Sequence, residues 1–140
     1  MEKLRRELSL INPAVEELLR YSAPVFMSTE RYAREDVTLH GVTIPRGEMT
    51  FRVIGSANRD ENVFENPDAL DITREPNKHL SVGQRIHFCL DAPPARMEAQ
   101  ITINTLLRRM PKLQLKVSPD SLRWRSSMIL RGLDSLPVLF

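Results

Sequence analysis

Residues 56–79, SANRDENVFENPDALDITREPNKH, form a long polar stretch rich in Asn, Asp and Pro that shows no sustained hydrophobic period. A structureless run of that length is uncommon inside a compact domain, and where one occurs it usually exists to hold something. Any fold open to this chain is therefore built around an irregular middle, with regular elements before and after it.

Before that middle, Asn12-Pro13 reads as a helix cap followed by a first-turn proline, and Ala14–Tyr21 places Val15, Leu18 and Leu19 on one side at helical spacing. The pattern changes from Pro24 to Val53. Val37, Leu39, Val42 and Ile44 flank His40-Gly41, which predicts a tight hairpin, and Pro45-Arg46-Gly47 turns the chain into a strand over Thr50–Ile54. After the middle, Pro93-Pro94 opens the longest helical pattern, with Met97, Ile101, Thr105 and Leu106 at helical spacing until Pro111 ends it. Leu113–Val117, Leu122–Trp124 and Leu136–Phe140 read as short strands. The expected class is mainly α with small antiparallel β-sheets, an α+β arrangement, and 140 residues suffice for one domain with a core that needs no disulfide.

Apolar residues at 41%, charged residues at 27% and 10 prolines describe a globular chain with many turns, not a coiled coil or a disordered tract. No apolar run approaches the roughly 18 residues of a membrane span, and Met1–Asn12 alternates charge with leucine, unlike a signal core, so a cytoplasmic location is expected. The charge is uneven. Residues 105–140 hold Arg108, Arg109, Lys112, Lys116, Arg123, Arg125 and Arg131 against Asp120 and Asp134. A basic surface of this kind attracts an acidic partner. The arginines lie among β-like and loop residues with few aromatics, so nucleic acid is not expected, and an ordinary solvated face is the commonest meaning of such a cluster.

The single cysteine, Cys89, cannot form an internal disulfide, and His40, His79 and His87 offer no zinc-finger spacing. It is inert, reactive or a metal ligand. Its place just before the Pro93-Pro94 helix matters, because helix N-terminal amides and the positive end of the macrodipole favour an anion and bias a sulfur there toward thiolate. By itself a lone cysteine in that place is more often a buried small hydrophobe.

The segment 79–93, HLSVGQRIHFCLDAP, resembles the cysteine-ligand loop of bacterial cytochromes P-450, whose pattern runs Phe-x-x-Gly-x-His/Arg-x-Cys-x-Gly; His87, Cys89 and Ala92-Pro93 match. Glu17-Leu18-Leu19-Arg20 is similar to the family's Glu-x-x-Arg helix, Asn58-Arg59-Asp60 and Asn66-Pro67-Asp68 to its meander, and Arg96-Met97-Glu98-Ala99 to the start of the helix after the cysteine. Four such patterns in the family's order make a specific signal. The resemblance implies the C-terminal part of the cytochrome P-450 fold, from the Glu-x-x-Arg helix through the cysteine loop, as a single partial domain over residues 1–140.

It further implies a haem-thiolate monooxygenase that inserts one oxygen atom of O2 into a small apolar organic substrate. The cofactor would be haem b, with Cys89 as axial ligand of the iron and with His87, Arg31 and Arg85 near the propionates. Glu17, Arg20 and Arg74 would form a buried network locking the meander, and Val25, Phe26, Met128 and Ile129 would line the substrate side; a surface ion pair and plain core packing are the ordinary meanings of such residues. A ferredoxin-type electron donor would dock at the basic proximal face. The family's long distal helix precedes the Glu-x-x-Arg helix and has no counterpart here, so the chain is expected to be a piece inactive alone, with the remaining N-terminal part as one possible separate partner chain.

Three loop positions depart from the family pattern: Val82 stands for the usual Phe, Arg85 for the first Gly and Asp91 for the Gly after the cysteine. Arginine where the backbone needs positive φ costs about 1 kcal/mol or more. Asp91 tolerates left-handed geometry, but its carboxylate beside a thiolate disfavours the anion by like-charge repulsion, which Arg85 would partly offset. These departures support an alternative: a non-catalytic relative serving as an interaction or scaffold protein that no longer binds haem.

Overall fold

The computed structural model describes residues 1–140. It consists of helices joined by small antiparallel sheets of two strands each, around an irregular centre. Helix α1 (Glu2–Arg6) leads through a short 3-10 turn into α2 (Ile11–Tyr21). Two hairpin-like pairs follow: β1 (Arg31–Tyr32) lies against β4 (Met49–Thr50), and β2 (Val37–Leu39) against β3 (Val42–Ile44). A one-turn helix α3 (Ile54–Ala57) opens the irregular segment, and α4 (Ala92–Arg109) leaves the cysteine loop. Near the C-terminus β5 (Gln114–Leu115) pairs with β6 (Val138–Leu139), and Trp124 bridges Leu133.

The hairpin is set by its turn chemistry. His40 at φ 48 and Gly41 at φ 82 both occupy the left-handed region, the primed geometry that matches the twist of two joined strands. Gly47 at φ 85 closes the next turn, with the Glu48 N–H donating to the Pro45 carbonyl.

Several local expectations change. The stretch Met1–Asn12, read only as charge alternating with leucine, holds α1, whose Leu4 is buried. Asn12 does not cap α2; the helix starts at Ile11, and Leu10 precedes it without a side-chain cap. The strand over Thr50–Ile54 ends at Thr50, apart from a bridge of Val53 to Met27, because Ile54 turns into α3.

The core is small. It gathers Leu4, Ile11, Ala14, Val15 and Leu107, with Leu10, Leu19, Ile72, Ala99 and Ile103 packed against it, where α2 crosses α4. Helix α4 therefore buries the line Ala92, Ala99, Ile103 and Leu107, while Met97, Ile101 and Thr105 face outward. Apolar groups surround this helix, so periodicity alone selects no face, and contact with α2 makes the choice.

Candidate haem site

The irregular segment is held by one buried ion pair. Arg20 and Glu17 share a face of α2 three residues apart, and both side chains are withdrawn from solvent. Arg20 Nε and Nη2 donate to the two Glu17 oxygens at 2.7 and 2.8 Å. The rest of the guanidinium reaches across to the loop, with Nη1 donating to the carbonyls of Asn58 and Pro67 at 2.8 Å each and Nη2 to that of Ala69 at 3.0 Å. Glu17 also accepts from the Asp71 N–H, Asn77 Nδ2 and Arg74 Nε. Arg74 in turn donates to the carbonyls of Glu65, Asn66 and Ala69. A segment with no ladder of its own thus bonds its backbone partly through short turns and partly through two arginines, which take up the carbonyls of Asn58, Glu65, Asn66, Pro67 and Ala69. Burial alone would raise the Glu17 pKa, and Arg20, the Asp71 N–H and Arg74 together outweigh it and hold the carboxyl below its ordinary value.

The cysteine loop leaves this platform at Leu80. The Gly83 N–H donates to the Leu80 carbonyl and the Cys89 N–H to that of Val82 at 2.8 Å, closing a compact turn with a 3-10 stretch over Arg85–His87. Gly83, at φ 69, has no room for a Cβ, which would run into the His87 carbonyl oxygen. Cys89 is free and exposed, immediately before α4. Ile86 and Leu90 on the same loop are each 93% exposed, so the segment that carries the thiol also presents hydrocarbon to the outside.

Arg85 occupies φ 51, the left-handed region where glycine is at ease. Replacing it, as Arg85→Gly, is expected to stabilise the chain by about 0.5–1 kcal/mol, the relief of strain less the extra freedom of an unfolded glycine. A thermal unfolding comparison checks this, and an unchanged or lowered midpoint would show that the arginine side chain holds the loop by contact. Asp91, contrary to expectation, does not use left-handed geometry: it sits at φ −87, ψ 6 as the residue capping α4, without a side-chain cap bond.

Arg85, His87 and Cys89 therefore share one loop. Arg31 lies apart on β1, exposed, donating through Nη1 to Thr29 Oγ1 and to the Glu30 carbonyl. Residues 24–27 and 129–131, distant in sequence, are joined: the Phe26 N–H donates to the Ile129 carbonyl at 2.8 Å, the Arg131 N–H to that of Pro24, and Val25 bridges Leu130. Val25 and Met128 keep exposed apolar side chains, and the Phe26 ring lies over Gly55.

Beside the loop, sequence reading assigned no role to a second cluster: Glu16, His79 and Arg96. Glu16 accepts Arg96 Nε and Nη2 at 2.6 and 2.9 Å and His79 Nε2 at 3.0 Å. The only trace in the sequence is a second carboxylate next to Glu17. The hydrogen bond from Arg96 holds the Glu16 pKa below its usual value. Burial holds His79 below its ordinary 6.5, with Glu16 opposing. Since its folded value is depressed, the native chain binds fewer protons than the unfolded one in mild acid, and stability falls as pH drops below 6.5. Glu16 and Glu17 add stability that is present above about 4.5 and lost as pH falls through their folded values. Urea midpoints measured across pH should show two falling steps, and His79→Gln should remove the upper one; a single step shared by both chains would count against this.

An α+β fold carrying a Glu-x-x-Arg network beneath a loop with one exposed cysteine defines the class. The family model of Cytochrome P-450 matches residues 1–129, and the chain belongs to the cytochrome P-450 family. It is 55% identical over 137 residues to the polyketide biosynthesis cytochrome P-450 PksS of Bacillus subtilis (strain 168), covering 98% of this chain and 34% of that protein. Among solved structures, that of PksS of the B. subtilis 168 bacillaene polyketide synthase superposes with a TM-score of 0.93 at 54% identity, covering 98% of this chain and 35% of the other. P450BioI, in complex with an acyl carrier protein bearing hexadec-9Z-enoic acid, gives 0.91 at 51% identity, covering 99% and 35%. The chain thus spans about a third of the length of the relatives it matches. Family membership implies a haem cofactor. The loop fits one, offering an exposed soft sulfur on a segment with exposed apolar side chains and a turn at Gly83 with no room for a side chain. No helix is long and apolar enough to cross a membrane.

Proposed function

We propose that residues 1–140 are one partial domain forming the proximal side of a haem-thiolate monooxygenase, with haem b as cofactor and Cys89 as the axial ligand of its iron. The exposed, free thiol at the start of α4 carries this reading. Haem, when bound, supplies the redox chemistry by which one atom of O2 enters a substrate. The chain's own groups have separate tasks. Cys89 offers a free, exposed sulfur to the iron. His87, Arg31 and Arg85 are cationic or hydrogen-bonding groups suited to the two propionates. Val25, Phe26, Met128 and Ile129 present hydrocarbon to a small apolar organic substrate, in keeping with the acyl chain in the P450BioI complex. The basic residues between 105 and 140 suit an acidic, ferredoxin-type electron donor in the cytoplasm.

Titrating the purified chain with haem and recording the carbon monoxide difference spectrum of the reduced complex tests the reading. A thiolate-type band that disappears in Cys89→Ala is expected. A histidine-type spectrum indifferent to Cys89→Ala would overturn it. A second reading, an interaction or scaffold protein without haem chemistry, draws on Arg85 at positive φ in a loop that carries glycine in the family pattern. Failure of the chain to take up haem selects that reading.

A further inference from the structure

Glu16 touches both flanks of the cysteine loop. Arg96, in the first turns of α4, lies after Cys89, and His79 lies before it; both donate to the one carboxylate. On the entry side, His79 Nδ1 accepts from the Ser81 N–H at 3.2 Å, so the ring proton sits on Nε2 and points to Glu16. Ser81 Oγ donates to the Leu19 carbonyl of α2 and accepts from Asn58 Nδ2. The buried Asn58 receives the Leu80 N–H on its Oδ1. From there the Gly83 and Cys89 amides close the turn onto Leu80 and Val82, and the Ala92 N–H returns to the Cys89 carbonyl. Glu16, His79, Arg96, Gly83 and Arg85 border an open cavity of about 440 Å³ along the loop. The sulfur is thus carried on a segment whose entry and exit are tied to the same side chain.

We propose that Glu16, His79 and Arg96 are positioning residues for Cys89, a clamp in which one carboxylate on α2 fixes both ends of the ligand loop. Arg96 supplies the charge and a bidentate fork, which sets the angle of α4. His79 supplies a neutral donor, which orders the entry without adding charge. The inference rests on reading Cys89 as the haem ligand, while the clamp itself can be examined without haem.

The test compares wild type with Glu16→Gln, which keeps the size but leaves one acceptor oxygen and no charge. Hydrogen exchange in the haem-free chain should show the Gly83 and Cys89 amides exchanging at least about tenfold faster, with α2 still protected. His79→Ala should do the same, His79→Gln should restore most of the protection, and His79→Ala added to Glu16→Gln should change little further. Unchanged exchange at Gly83 and Cys89, or effects of the two that simply add, overturns the clamp. If Glu16→Gln does not fold, the His79→Ala and His79→Gln pair decides by the same criterion. With haem added, the thiolate-type share of the carbon monoxide spectrum should fall in Glu16→Gln at equal haem content; an unchanged share overturns the positioning role even where exchange is faster. If wild type gives no thiolate-type spectrum, the haem reading fails, and exchange alone judges the clamp.

Discussion

Arg20→Ala is expected to destabilise the fold by about 3–5 kcal/mol. The guanidinium is fully buried and makes five hydrogen bonds, two to Glu17 and three to carbonyls of the irregular segment. Removing it leaves a buried carboxylate whose remaining cation, Arg74, lies at 3.2 Å, and three carbonyls without their donor. Breaking a buried pair from one side costs about 3–5 kcal/mol, a large part of the roughly 5–15 kcal/mol that holds a domain together. Urea unfolding followed by Trp124 fluorescence and circular dichroism measures the effect. The double substitution Glu17→Leu with Arg20→Met separates charge from connection. Buried ion pairs are often replaceable by hydrocarbon, but here the carbonyls of Asn58, Pro67 and Ala69 would remain without donors. The double variant should therefore stay well below wild type, and a midpoint equal to wild type would show that the network contributes only charge balance.

Gly83→Ala should damage the ligand loop more than the molecule. An L side chain at φ 69 costs about 1–2 kcal/mol by backbone geometry alone, and the added methyl would meet the His87 carbonyl, a backbone atom that cannot swing aside. A loop shift of about 2 kcal/mol lowers any binding that needs the native loop about thirtyfold. Haem titration of Gly83→Ala against wild type, with unfolding midpoints beside it, reads both quantities. Because residues 84–90 are exposed and the loop contributes no residue to the core of Leu4, Ile11, Ala14, Val15 and Leu107, the midpoint should fall less than haem affinity. Equal affinities would mean that the turn does not place the sulfur.

What could be read from the residues follows from local chemistry. Left-handed backbone at His40-Gly41 makes a hairpin wherever it occurs, and the helix opened by Pro93-Pro94 runs to Arg109, short of Pro111. The cysteine pattern names its family because four short motifs keep a fixed order. The long polar stretch held no period and forms no ladder; five of its carbonyls turn to Arg20 and Arg74, and others close short turns.

Other features depended on partners remote in sequence. Helical spacing marks Met97, Ile101, Thr105 and Leu106 without choosing a buried face; contact with α2 turns Ala99, Ile103 and Leu107 inward and leaves Met97, Ile101 and Thr105 outside. Asn12 has the right chemistry for a cap, yet α2 begins before it, at Ile11, which enters the core. Glu16 and Glu17 look alike on paper. One residue step along a helix separates them by about 100°, so Glu17 faces the irregular segment and Glu16 faces His79 and Arg96. Turns, helices and the ligand motif were legible along the chain, because they depend on φ preference, capping and order. Which carboxylate serves which loop was settled by the packing of α2, since the partners lie 57 to 80 positions away along the chain.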